Sequence, residues 1–473
     1  MDEHGNTERR TSVPRRRKRT RAEIIKETYL PTVIVCTAVL FILIIICGAI
    51  VRGFQQRKAD QLSRAEEALT QQELEKQWNM EADGLIAEAT LLAENYDYDG
   101  ALAKLDSFSG DKNFARIAHK RSELEAGKAE LVLWEDNSKI PNLSFMNLVV
   151  DPVRAFRDEV YGNSYKTNYV TISEFNKIIQ QLYDNGYILI SMDDILDKKV
   201  DSDGSVHFTE KQLYLPAGKK PLLLSQNQVN YYVYMVDGDG DYIADKHGDG
   251  FACRLLVDET GSLACEIINS DGSRSVGAYD LVPLLDSFIL THPDFSYKGA
   301  KAILSVSGCE GVFGYRTSAE ADSKLGTEYR AQQEKEAAAV IEALRADGYD
   351  IACYTYENIA YGESDAPTVQ ADLDKWASET APLLGDVDMF LFAKKSDIGE
   401  MNTEYAGEKF DMLTAKGFHY FFGFCDTGSP WMVVTDSYVR QGRILVNGAN
   451  LQANPKWFAD LFSAESVIDP IRA

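Results

Sequence analysis

From Leu30 to Val51 the chain carries no charged side chain. About 22 residues at about 1.5 Å each reach about 33 Å, enough to cross the hydrocarbon core of a bilayer. With no water there to satisfy the backbone, such a run must be helical. It is preceded by Arg15-Arg16-Arg17-Lys18-Arg19-Thr20-Arg21, and basic residues flanking a span stay on the cytoplasmic side. Arg52, Arg57 and Lys58 oppose that orientation only weakly. The run exceeds a signal-peptide core, no small-x-small site follows it, and Ile46 is larger than the residue expected before a lipidated Cys47. The expectation is an uncleaved single-pass anchor in the cell membrane. Residues 1–28 then form a basic cytoplasmic tail, 29–52 the transmembrane helix, 53–136 a helical stalk and 137–473 an extracellular domain.

The formal charge of −24 arises from 49 basic and 73 acidic residues. Because the basic cluster lies before the span, the external part is more acidic still, which repels nucleic acid and anionic lipid. No nucleic-acid partner is expected. Asp237, Asp239, Asp241 and Asp245 alternate with glycines and other residues in a turn-rich loop, the oxygen-rich setting calcium prefers. The EF-hand pattern fails, since Tyr242 stands at the sharp-turn glycine and Gly248 at the closing glutamate. A calcium loop and an ion-free acidic turn both remain open. Cys36 and Cys47 fall in the span, leaving five cysteines beyond it, with no CxxC pair among them. Cys253 and Cys265 flank a turn-like Asp258-Glu259-Thr260-Gly261, so a cross-hairpin disulfide and two free thiols are both compatible with the spacing.

Residues 55–136 are rich in Glu, Ala, Leu, Gln and Lys, good helix formers. Two apolar-periodic segments there, joined near Asp97-Tyr98-Asp99-Gly100, resemble one tetratricopeptide-like hairpin. A single copy would have to bury its face on something else, so a helical spacer or packing surface is expected. Beyond Pro141 helices and strands alternate. At Gly186, Gly348 and Gly417 a helical pattern ends on glycine, and the β-prone runs Ile188–Ile190, Ile351–Cys353 and Tyr420–Phe422 follow. The first of these helices opens with Thr171 and Glu174 at capping-box spacing. With further strands at Leu222–Ser225, Ala302–Ser307 and Met389–Phe392, the plan is α/β, a parallel sheet or irregular (β/α) barrel.

Four stretches carry a family resemblance: Pro221-Leu222-Leu223-Leu224-Ser225 with Val229-Asn230-Tyr231-Tyr232, His292-Pro293-Asp294-Phe295-Ser296-Tyr297, and Gly314-Tyr315-Arg316-Thr317-Ser318. From about Asn142 onward the chain resembles the polysaccharide deacetylase, or NodB-homology, family in a membrane-attached bacterial branch. The resemblance implies that family's irregular barrel. It also implies a strand running into two aspartates, the first a general base and the second a metal ligand, and two later histidines that complete the metal site. Here those positions fall on Asn227 and Gln228, and, aligned on Ala352-Cys353, on Tyr354 and Asn358. A hydrolytic zinc site takes histidine nitrogens and a carboxylate and leaves room for water, whereas carboxamides and a phenol supply neither base nor zincophilic donor. His207, His247, His292 and His419 are widely spread and form no HxxxH pair. No zinc is therefore expected at the family site. The family's aromatic-proline loop is replaced by Phe392-Ala393-Lys394-Lys395.

Tyr232, Arg316, Tyr356 and Trp431 stand near these motifs, and aromatic faces beside hydrogen-bonding groups suit sugar rings. The functional expectation is an inactive deacetylase-like surface protein that binds a cell-envelope polysaccharide or scaffolds wall assembly. An active N- or O-acetyl deacetylase with a rearranged site, and a scaffold that recruits a protein partner through the stalk, are the alternatives.

Overall fold

The structure is a computed structural model that describes residues 20–236, 242 and 247–472. The acidic loop at Asp237, Asp239, Asp241 and Asp245 and the basic run up to Arg19 lie outside the described residues. The chain divides into two compact units, one ending at Asp83 and the other running from Gly84 onward. In the first unit, helix α1 (Leu30–Glu94) carries the uncharged run. Its apolar side chains, such as Leu40, Phe41 and Ile44, are exposed, which in water would be costly and in lipid is not. It is long and apolar enough to cross a membrane.

In the second unit, the end of α1 is followed by α2 (Tyr98–Asp106) and α3 (Ala115–Ala129). Asp97 caps α2 by accepting from the Gly100 N–H at 3.0 Å. Ala101, Leu105, Ile117 and Leu124 bury the inner faces of this hairpin, and the Lys298 amide donates to the Asn95 carbonyl at 2.7 Å. Residues 84–129 thus pack with the α/β part, and the contact boundary falls inside the segment read from sequence as a stalk.

Seven parallel strands form a closed barrel: β1 (Asn142–Phe145), β2 (Lys220–Gln226), β3 (Ile303–Val306), β4 (Asp350–Cys353), β5 (Met389–Leu391), β6 (Tyr420–Phe424) and β7 (Val439–Leu445). Each pairs with the next in sequence and β7 pairs with β1 to close the ring. Residues Tyr187–Leu189 add a short strand beside the start of β2, and an antiparallel sheet spanning 254–277 is inserted between β2 and β3. The seven-stranded ring with helices around it is the irregular α/β barrel expected from the alternation.

Side chains alternate along every strand. Leu143, Leu222, Leu224, Leu304, Ile351, Phe390, Phe421 and Ile444 face the surrounding helices. Leu223, Ile303, Ala352, Leu391, Phe422 and Val439 fill the lumen toward the amino ends. Helix α4 (Ile172–Asp184) opens with the anticipated capping box: the Thr171 hydroxyl accepts from the Glu174 amide and the Glu174 carboxylate from the Thr171 amide. Helices α4, α5 (Thr327–Ala346) and α6 (Glu408–Ala415) end at Gly186, Gly348 and Gly417, whose φ values of 80°, 89° and 89° only glycine adopts freely.

At the amino end of the barrel, Asp350 begins β4. Burial, reinforced by Asp193, Asp388 and Asp194, pushes its carboxyl up to about 7. A carboxyl that binds its proton more tightly folded than unfolded stabilises the fold at low pH, and that contribution is lost as pH rises from about 4 through about 7. Asp350→Asn should therefore raise stability at pH 8 by about 2 kcal/mol, a value discounted for partial solvent exposure. It should leave stability at pH 4 nearly unchanged, as read by urea unfolding at the two pH values.

Candidate site at the carboxyl ends of the barrel strands

The lumen changes character toward the carboxyl ends of the strands, where β/α barrels place their chemistry. Ser225 donates to Asn142 Oδ1 at 2.9 Å, Asn142 Nδ2 to Gln441 Oε1 at 3.0 Å, and Gln441 Nε2 to the Ile140 carbonyl at 3.2 Å. One step further along, Asn227 Nδ2 donates to Ser144 Oγ at 3.0 Å. Asn227 Oδ1 in turn accepts from the guanidinium of Arg443. Arg443 is 0% exposed. It also donates to the Phe392 carbonyl at 2.8 Å and the Gly423 carbonyl at 3.2 Å, and lies 4.3 Å from the centre of the Phe424 ring.

Its acceptors are thus a carboxamide and two backbone carbonyls, all neutral. Burial pulls the Arg443 guanidinium down to about 10, so it is still a cation at neutral pH. Tyr354, at the end of β4, is also buried. Burial raises its phenol, the charge of Arg443 draws it back, and the Lys394 amide donates to it. The structure therefore brings Asn227 and Tyr354 together around a guanidinium that the sequence had not pointed to.

The backbone at this rim is strained. Gln228, Tyr231, Phe313, Thr355, Asn358, Lys394 and Lys395 all have φ between 49° and 67°, a region that non-glycine residues seldom occupy, a β-branched threonine least of all. Such outliers persist where surrounding contacts hold them, and they gather at sites. Here Asn230 holds β2 to β3, accepting from the Ser307 amide at 2.9 Å and donating to the Ser307 carbonyl at 2.8 Å. Asp372 holds the turn after β4 by accepting from the amides of Tyr356 and Glu357, each at 2.7 Å. Asp280, buried behind β2, accepts from Asn147, Leu148, Gln226 and Tyr231.

A zinc ion does not fit this donor set. Asn227 and Tyr354 are engaged with protein groups, Gln228 and Asn358 offer only neutral carboxamides, and Arg443 supplies a positive charge. A divalent cation about 4 Å from a guanidinium would meet a repulsion of about 8 kcal/mol at an effective dielectric near 20.

The four residues expected to face a sugar are all buried. The Tyr232 hydroxyl shares a 2.6 Å hydrogen bond with Ser307, and Tyr356 donates to Glu379 at 2.6 Å. Arg316 donates to the Tyr231 carbonyl at 2.8 Å and faces Glu310 at 3.7 Å. Trp431 covers Gly442, where a Cβ would come within 2.2 Å of the indole nitrogen. None presents an open face in this structure. Tyr161 and Tyr234 are the tyrosines at this end with open surface, 39% and 40% exposed. Cys253 and Cys265 are both free thiols, and Cys253 Sγ lies 3.3 Å from the Glu266 carbonyl.

No family model matches this chain, and no curated protein matches it. Among solved structures, the Streptococcus pyogenes deacetylase PplD in complex with acetate is similar at a TM-score of 0.31 and 11% identity, covering 66% of this chain and 94% of that one.

Proposed function

We propose that this chain is a membrane-anchored deacetylase-like protein that does not catalyse deacetylation and instead binds cell-envelope glycan at the outer surface, where it helps assemble the wall. The observation that carries the non-catalytic reading is the bond from buried Arg443 to Asn227: the position where the resemblance places a general base is a carboxamide held by a cation. A carboxamide cannot accept the proton of an attacking water, and the guanidinium disfavours a metal beside it. The external placement rests on the basic run before the span, and the glycan reading on the motif resemblance and the aromatic surface at the strand ends.

The test is the full chain in lipid nanodiscs, assayed for bound zinc, for deacetylation of acetylated glucosamine oligomers, and for retention on insoluble wall glycan. The expected result is retention without metal-dependent turnover. Turnover that a chelator abolishes would overturn the non-catalytic reading, and a chain that fails to sediment with wall material would overturn the binding reading.

A further inference from the structure

Tyr161 precedes the helix Gly162–Asn168, and Tyr234 sits in the single helical turn Val233–Val236 that follows β2. Their ring centres are 5.0 Å apart at 46°. Tyr234 is braced from behind by Tyr232, stacked at 6.0 Å, and its hydroxyl is hydrogen-bonded to Tyr169. Tyr161 leans on Tyr165 at 5.9 Å. Val160 beside it is 77% exposed. Two packed, partly exposed rings, one of them with its hydroxyl held, cost little entropy on contact, which is what makes tyrosine effective in recognition.

Among the described residues three carboxylates lie around this pair, with Arg154 facing Asp249 and with Arg316 and Lys324 facing Glu310. Glu310 accepts from the Val233 amide at 2.7 Å, one residue before Tyr234, and its charge is only partly met by Arg316 at 3.7 Å. Asp249 accepts from the Tyr165 hydroxyl at 2.6 Å. Asp158 caps the turn at Val160 at 2.9 Å. Ionised carboxylates accept hydrogen bonds and donate none, so they suit the hydroxyl pairs of a sugar and repel an acidic one.

Resting on the glycan reading above, we infer that Tyr161 and Tyr234 form a stacking subsite for a pyranose that carries no acidic group, with Glu310 and Asp249 accepting from its hydroxyls. The ligand class follows from what the carboxylates accept: sugar hydroxyls donate to them, whereas a uronate or a phosphorylated sugar would bring a further negative charge against Asp158, Asp249 and Glu310.

The experiment measures binding of the full chain in nanodiscs to three tetrasaccharides: N-acetylglucosamine tetramer, its fully deacetylated form, and tetragalacturonate. Binding of at least one of the first two and none of the third is expected. Tyr161→Ala and Tyr234→Ala should each weaken binding about 3- to 10-fold, with both variants still cooperatively folded at the assay temperature as read by their unfolding curves. Preferential binding of tetragalacturonate, or undiminished affinity in the double variant, would overturn the subsite while leaving the glycan reading standing. If none of the three binds and wall retention also fails, both readings fall together.

Discussion

Replacing Arg443 with methionine is expected to destabilise the barrel by about 3 kcal/mol, the largest loss from any single residue at the strand ends. The guanidinium bridges three acceptors from three strands or their ends: Asn227 after β2, Phe392 after β5 and Gly423 in β6. Methionine fills most of the volume and donates to none of them, so the Asn227 carboxamide oxygen and the Phe392 and Gly423 carbonyls each lose a buried charged donor, at about 1 kcal/mol each. Lysine keeps the charge but has one nitrogen to offer at the end of a flexible stem, so Arg443→Lys should recover less than half of the loss. Urea unfolding followed by tryptophan fluorescence measures both, and a methionine variant as stable as the native chain would show that the guanidinium does not hold the ring.

The same geometry makes Asn227→Asp stabilising. The introduced carboxylate would sit against a cation that now has only neutral acceptors, and it would gain an ion pair where desolvation of the guanidinium has already occurred. A gain of about 2 kcal/mol is expected at pH 7. Because the introduced carboxyl would be held below its unfolded value of about 4, the gain is present above pH 4 and disappears as pH falls through the lower folded value. Asn227→Asp should acquire no zinc, since one oxygen would be held by Arg443 and the other would face the Ser144 hydroxyl. Zinc bound by this variant at one per chain would contradict that assignment.

Much of the barrel was legible in the sequence because its strands β2 to β6 read as buried β-prone runs, and the three helix-to-strand junctions ended on glycines that need positive φ. β1 and β7 were not legible. Asn142-Leu143-Ser144-Phe145 alternates polar and apolar residues, and Val439-Arg440-Gln441-Gly442-Arg443 carries three polar residues in five, patterns that look solvent-facing when Asn142, Ser144, Gln441 and Arg443 in fact face the lumen of a closed ring. For the site, spacing and resemblance led to Asn227 and Tyr354, which the fold does bring together. Arg443 is 216 residues from Asn227 in sequence, and only closure of β7 onto β1 places it there. The exposure of the tyrosines expected to face a sugar was not legible for a related reason. Tyr232 and Tyr356 are near the motifs, but their hydroxyls find internal partners, and open ring area depends on tertiary neighbours rather than on position along the chain.

Glu174→Ala is expected to cost about 4 kcal/mol, more than a lost helix cap can explain. A capping box is worth about 1 kcal/mol, and Glu174 does more than cap α4 through the Thr171 amide at 2.8 Å. Its carboxylate also accepts from the Asp469 amide at 2.9 Å and from Arg472 at 2.5 and 2.7 Å. Glu174 and Arg472 have side chains 0% and 2% exposed, so removing one leaves the other's charge buried without a counterion, the costly half of a buried ion pair. Arg472 also donates to the Tyr169 carbonyl at 2.6 Å, which ties residues 469–472 to the start of α4. The double variant Glu174→Ala with Arg472→Met should therefore be less destabilised than the sum of the two singles, because the second substitution removes the charge the first one strands. A double-mutant cycle in urea reads this coupling directly. Strictly additive losses would mean that the pair contributes only through the cap and backbone bonds, and that the ends of this fold are held by packing of Ala464 and Val467 rather than by charge.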